Sequence, residues 1–113
     1  MKKFMALYMA PIAKMKEMMK NSTPESREKE NESWRVWMES KKDFIVDHGA
    51  PLGKTKRANS AGVTDVSNEI GGYTIVEAES HEAAAQLFTD NPMLVGMGEA
   101  HVDVMEIMPM PGM

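Results

Sequence analysis

Residues 71–88 read GGYTIVEAESHEAAAQLF, and the reading of this stretch decides the fold. Tyr73, Ile75 and Glu77 alternate with Thr74, Val76 and Ala78, the two-residue period of a strand whose side chains leave on opposite faces. Gly71 and Gly72 punctuate its start. At Ser80 the period changes. A serine hydroxyl there accepts from the free N–H groups of a helix's first turn, and the alanine-rich run from His81 to about Thr89 continues as that helix. Asn91 and Pro92 are expected to close it. A strand that feeds directly into a helix predicts a mixed architecture.

Working downstream, His101 to Met108 sets His101, Asp103, Met105 and Ile107 against Val102, Val104, Glu106 and Met108, a final strand. The tail Met-Pro-Met-Pro-Gly-Met is too proline-rich to extend a sheet. Upstream, Lys3 to Met9 places Phe4, Ala6 and Tyr8 against Met5, Leu7 and Met9, a strand apolar on both faces that Pro11 ends. Ile12, Met15, Met18 and Met19 share one side of a short amphipathic helix from Ile12 to Lys20. Thr23 followed by Pro24 is a helix start, with Glu25 well placed in the first turn. Trp34, Trp37, Met38, Lys41, Phe44, Ile45 and His48 fall on one stripe, so this helix is predicted to run to about Asp47 and stop at Gly49. His48 then sits at its C-terminus, where a protonated imidazole is favoured. Ala50 to Arg57 reads as the opening of a second, more polar strand, and Ala58 to Gly72 as an edge segment or long loop.

The order strand, helix, strand, strand, helix, strand is the ferredoxin-like βαββαβ plan: an α+β domain with an antiparallel sheet and both long helices on one face, spanning residues 1–113. Two helices cover only one sheet face. After one set is assigned inward, Phe4, Tyr8, Tyr73, Ile75, Met105 and Ile107 remain; leaving such groups in water forfeits roughly 1.5–3 kcal/mol apiece. A second copy of the same sheet is therefore expected, giving a two-fold homodimer closed into a dimeric α/β barrel.

Bulk properties narrow the classes. All 13 cations lie between Lys2 and Arg57, beside eight acids, while residues 58–113 hold nine acids and no cation, so the halves carry +5 and −9. With a pI near 5.4 the chain offers little concentrated basic surface to displace counterions from phosphates, and no nucleic-acid partner is expected. There is no cysteine, hence no disulfide framework and no thiolate, which suits a reducing cytoplasm. The basic opening MKKFMALYMAP stops at Pro11 without a small-residue cleavage site, and no stretch is long enough to span a bilayer, so a cytoplasmic protein without a membrane partner is expected.

The chain resembles the YCII-related (DGPF-type) proteins of the dimeric α/β-barrel superfamily. The residues that carry the resemblance are KKFMALYMAP at the start, Trp34 and Trp37 on the long helix, VDHGAPLG at 46–53, GGYTIVEAESHEAAAQLF at 71–88 and HVDVMEIMPMPGM at the end. The resemblance implies a ferredoxin-like dimer, cytoplasmic and bacterial, in a family whose members are mostly of undefined activity. Two departures matter. The Asp-Gly-Pro-Phe motif falls near Asp65 to Ile70, which here reads DVSNEI. The family's catalytic histidine falls near Trp37 or Met38, and neither side chain can serve as a general acid or base, so that assignment does not transfer.

Candidate chemistry rests on a few residues. His101 and Asp103 share a strand face, with Glu77 expected on the same face of the neighbouring strand; a carboxylate that fixes an imidazole's tautomer makes a general acid or base. The competing reading is a solvated strand end. Tyr8, Trp34, Trp37 and Tyr73 are candidate walls for a small organic ligand, against ordinary core packing. Lys41 within the tryptophan stripe presents an ammonium to an anionic ligand or lays its stem on apolar surface with its head in water. The three histidines share no ligand spacing, the thirteen methionines follow core positions better than a Cu(I) site, and no glycine-rich phosphate loop follows a strand. Neither metal nor cofactor is expected. The leading expectation is binding, and cofactor-independent acid–base conversion, of a small organic molecule; the rival is a non-catalytic assembly or interaction module whose acidic half contacts a basic partner.

Overall fold

In the computed structural model, which describes residues 1–111, the chain runs β1 (Lys2–Met9), α1 (Ile12–Asn21), α2 (Pro24–Ser40), β2 (Ile45–Pro51), β3 (Thr55–Asn59), β4 (Gly62–Val66), β5 (Ile70–Ala78), α3 (His81–Gln86), α4 (Pro92–Gly96) and β6 (His101–Glu106). The two segments with the strictest alternation, β1 and β5, become the central strands of a four-stranded sheet in the order β2-β5-β1-β6. Every pairing in it is antiparallel. With the β3–β4 hairpin set aside as an insertion, this is the ferredoxin-like sheet that the element order predicts. Gly112 and Met113, the end of the proline-rich tail, lie outside the described residues.

Alternation on β1 and β5 resolves into a buried set and a half-buried set. Phe4, Ala6 and Tyr8 with Thr74, Val76 and Ala78 face the helices and are buried, and they pack with Trp37, Ala84 and Phe88. Phe4 and Tyr8, expected among the uncovered apolar residues, are thus core. Met5, Leu7 and Met9 take the open face instead, because the pleat sends odd and even residues of β1 to opposite sides.

The long helix is shorter than its apolar stripe suggests. Thr23 and Ser26 exchange reciprocal capping hydrogen bonds at its start, with Pro24 in the first turn. It ends at Ser40, and residues 41–44 turn the chain, with the Phe44 N–H donating to the Lys41 carbonyl at 2.9 Å. Phe44 then accepts from the Glu77 N–H at 2.8 Å, which enters the sheet just ahead of the β-branched pair Ile45 and Val46. His48 and Gly49, expected at a helix end, therefore lie in edge strand β2. Gly49 has φ +75°, and there it accommodates a bulge: Asp47 pairs Ile75 while Ala50 pairs Tyr73.

Two further expectations change. Residues 50–72 hold the end of β2 and a complete β3–β4 hairpin rather than one strand and a loop. Asn91 and Pro92, expected to close a helix, open α4, the Asn91 side chain accepting from the Met93 N–H at 3.0 Å. The last strand ends at Glu106, although the Ile107 N–H still reaches the Lys3 carbonyl at 2.9 Å.

Candidate functional site

The sheet divides the sequence-predicted residues into two groups. Tyr8, Trp34, Trp37 and Lys41 lie on the helix side. His101, Asp103, Glu77 and Tyr73 lie on the open side.

On the helix side the aromatic residues pack on one another. Ring centroids are 5.2 Å apart for Tyr8 and Trp34, 6.0 Å for Trp34 and Trp37, and 5.4 Å for Trp37 and Phe88, all in edge-on or tilted geometry. Trp37 and Tyr8 are buried and Trp34 is half-buried. The polar tips of the two buried aromatic residues, Tyr8 and Trp37, have partners. The Tyr8 hydroxyl and Thr74 Oγ1 are 2.7 Å apart, and Thr74 Oγ1 donates to the His48 carbonyl at 3.0 Å, so Tyr8 is the donor to threonine. Burial pushes the Tyr8 phenol above its usual range, and it stays protonated. The Trp37 indole donates to Asp90 Oδ1 at 3.0 Å, and the Lys41 ammonium donates to Asp90 Oδ2 at 3.3 Å. Partial desolvation pushes the Asp90 carboxyl up, but these two hydrogen bonds prevail and hold it below its ordinary 3.8. Asp90 was not foreseen as the partner of Trp37 and Lys41; the run Thr-Asp-Asn-Pro carries only a turn signal. Lys41 thus ties the end of α2 to the α3–α4 connection.

The open face has an apolar centre and polar ends. Cross-strand partners fix its rows: Asp47, Ile75, Met5 and Met105 form one, Ala50, Tyr73, Leu7 and Asp103 the next, and Met9 with His101 the last. His101 Nε2 stands 3.7 Å from Asp103 Oδ1, with the side chains 57% and 58% exposed. That separation exceeds a hydrogen bond. Leu7 and Tyr73 adjoin Asp103 across β1 and β5, which gives the pair an apolar flank. Glu77 shares this face, but its strand is not the neighbour of β6 that the sequence suggests: β1 lies between them, and Glu77 pairs with Lys3 at the other end of β1. Six residues at about 3.3 Å each put it roughly 20 Å from His101, so the two do not act on one ligand within a protomer. Asp47, read from the sequence as helical, also belongs to this face, its carboxylate accepting from the Gly49 N–H at 2.8 Å.

The other histidines stand elsewhere. His48 is on β2, and His81 at the start of α3 tilts against Phe4 with its Nε2 2.7 Å from the Val104 carbonyl, which makes that nitrogen the protonated one. Among the described residues, no group of three or more His, Asp or Glu side chains is arranged to hold a metal ion. A cleft of about 430 Å³ opens between α1, the start of α2 and the α4–β6 connection, flanked by Lys14, Glu17, Glu30 and Glu99. None of the sequence-predicted residues lines it. Among the described residues, no helix is long and apolar enough to cross a membrane.

No protein-family model and no curated protein matches the chain. Among solved structures, its fold matches that of the 5-chloro-2-hydroxyhydroquinone dehydrochlorinase (TftG) of Burkholderia phenoliruptrix AC1100, in complex with 2,5-dihydroxybenzoquinone. The two are 17% identical, the match covers 94% of this chain and 93% of that one, and the TM-score is 0.54. The likeness is one of fold.

Proposed function

We propose that this chain is a YCII-like protein that pairs with a second copy through the open face of its sheet and binds a small organic molecule in the chamber between the two faces. The observation that carries the reading is the open face itself: an apolar centre of half-buried Met5, Leu7, Tyr73 and Ile75 and exposed Met105, on the face opposite the helix-side core, with His101 and Asp103 at one end. Apolar walls with a few convergent polar groups are what a small-molecule site requires. The fold shared with an enzyme holding a dihydroxybenzoquinone supports a hydroxylated aromatic or quinone-like compound as the ligand class.

In this reading Leu7, Met9 and Tyr73 wall the ligand. His101 exchanges a proton with a ligand hydroxyl or ring carbon, and Asp103 stabilises the imidazolium that forms. Covering the pair with a second sheet strengthens this interaction by removing water. The chemistry needs no electron acceptor, because only protons move.

Calorimetric titration with 2,5-dihydroxybenzoquinone as the probe tests the reading, alongside native mass spectrometry for dimer mass and retained small molecules. Saturable binding that His101→Ala weakens by roughly tenfold, the worth of one lost hydrogen bond to a charged group, is expected, with thermal melting unchanged. A dimer with a dry, fully packed centre and no binding instead supports an assembly module. Equal affinity in wild type and variant removes His101 from the site.

A further inference from the structure

We propose that the β3–β4 hairpin is a cationic arm that each copy lays against the acidic rim of the other copy's open sheet face. The inference rests on the dimer reading above and adds a second contact to it.

The hairpin pairs Thr55 with Val66 through to Asn59 with Gly62, and only the two residues at its base, Thr55 and Val66, are half-buried. Every residue from Lys56 to Asp65 is exposed, so neither face of the ribbon is covered by other described residues. A two-stranded ribbon alone in water is marginal at best, because it lacks the third strand or helix against which to bury a face. Val63, 65% exposed, leaves apolar surface on it as well. The ribbon is built to be covered by something outside its own chain.

Charge selects the partner. Lys54, Lys56 and Arg57 are the last cations of the sequence, and Asp65 is the one acid from Lys54 to Val66. Asp65 is already paired with Lys56 at 2.6 Å, which leaves Lys54 and Arg57 without ion pairs among the described residues. The open face carries the complement: Asp47 and Asp103 stand beside its apolar centre, and Glu77 at the far end has Lys3 as its cross-strand neighbour, in a chain whose residues 58–113 have nine acids and no cation. Placement agrees. The arm leaves the sheet where β2 and β5 meet at Pro51 and Gly72, the end of the sheet that also holds Met9 and His101. Its five-residue strands project about 17 Å, a reach comparable to the width of a four-stranded sheet. A second copy seated on the open face therefore brings its acidic rim within range of a cationic ribbon that has no partner in its own chain.

Sedimentation equilibrium of the wild type and of Lys54→Glu/Arg57→Glu, each at low and high sodium chloride, tests the arm; both positions are exposed, so the variant folds. The wild-type dimer is expected to weaken as salt rises, and the variant to associate roughly tenfold more weakly at low salt with little salt response, since rim charges act through screened attraction. Hydrogen exchange supplies an independent measure: protection of amides in residues 56–65 rises with wild-type concentration. A dimer constant within twofold of wild type, or arm amides that exchange equally fast in monomer and dimer, overturns the arm while leaving the dimer standing. A wild type that stays monomeric at every concentration overturns both.

Discussion

At Asp90 a single carboxylate closes the helix side of the core, accepting from the indole of Trp37 and from the ammonium of Lys41. Replacing it by alanine strands the N–H of a tryptophan that is only 4% exposed, at a cost of about 1–2 kcal/mol in urea unfolding at neutral pH. Asp90→Asn keeps an acceptor for the indole but removes the charge, and because the Asp90 side chain is 63% exposed the loss stays under ~1 kcal/mol. The two variants separate in acid. The folded carboxyl is held below 3.8, so its stabilisation is complete above that value and is lost as pH falls through the lowered folded value. The loss of stability on acidification below 3.8 should therefore be less steep in Asp90→Asn than in wild type; an identical profile denies the aspartate its role. Tyr8 works with the opposite sign. Its raised phenol stabilises the fold fully below the ordinary value of 10.0 and loses that contribution only as pH rises through the higher folded value. Tyr8→Phe deprives Thr74 of its donor and should cost about 1 kcal/mol in urea unfolding, and the decline in stability that this phenol causes above the ordinary value should be absent from the variant.

Strands and caps were legible where one local rule had no competitor. Alternation in residues 73–78 and 3–9, the Ser80 cap and the Thr23-Pro24 start all form as read. The end of α2 was not legible, because Phe44, Ile45 and His48 continue the three- and four-residue spacing of Trp34 and Trp37 while no glycine or proline stands between Ser40 and Ile45. Helical periodicity thus extends by coincidence into a strand, and what ends the helix is the hydrogen bond of Phe44 to Glu77 across the sheet. Asn91-Pro92 shows the converse problem: the same pair stops one helix and caps the next, and local sequence does not say which. Gly49, expected to stop a helix, has its left-handed backbone inside a strand instead. Its place in the β2 bulge yields a sharp test. A Cβ there runs into the Tyr73 carbonyl, and φ +75° is strained for any L side chain, so Gly49→Ala should destabilise by at least ~2 kcal/mol in chemical denaturation. A loss under ~0.5 kcal/mol, the range of an ordinary surface change, means the bulge relaxes and the β2 register is not fixed by this residue.

At the scale of the molecule, two layers give a body 49 × 44 × 20 Å, flat along one axis. Its radius of gyration of 15.7 Å exceeds the about 13 Å of a compact domain of this length, as a chain with a projecting arm and one uncovered sheet face should. Only part of the candidate site could be read before folding. Alternation assigned His101, Asp103 and Glu77 to one face, but the distance along β1 between Glu77 and His101 depends on register, which pattern alone does not set. Likewise both sets of β1 are apolar, so nothing local distinguished Tyr8, which meets the helices, from Leu7, which meets the open side. Leu7 and Ile75 are consequently the positions at which the dimer reading is most exposed to test. Neither contributes to the helix-side core, so Leu7→Lys and Ile75→Asp leave circular dichroism unchanged, yet each places a charge at the centre of the proposed interface, where burial without a partner is prohibitive. Wild-type melting temperature should rise with protein concentration, because a partner that binds only the folded chain stabilises it by mass action, and that dependence should vanish in both variants along with dimer mass in sedimentation. A wild type whose melting is independent of concentration and whose mass is that of one chain means that the open face stays in water, and the chamber proposed between two faces does not form.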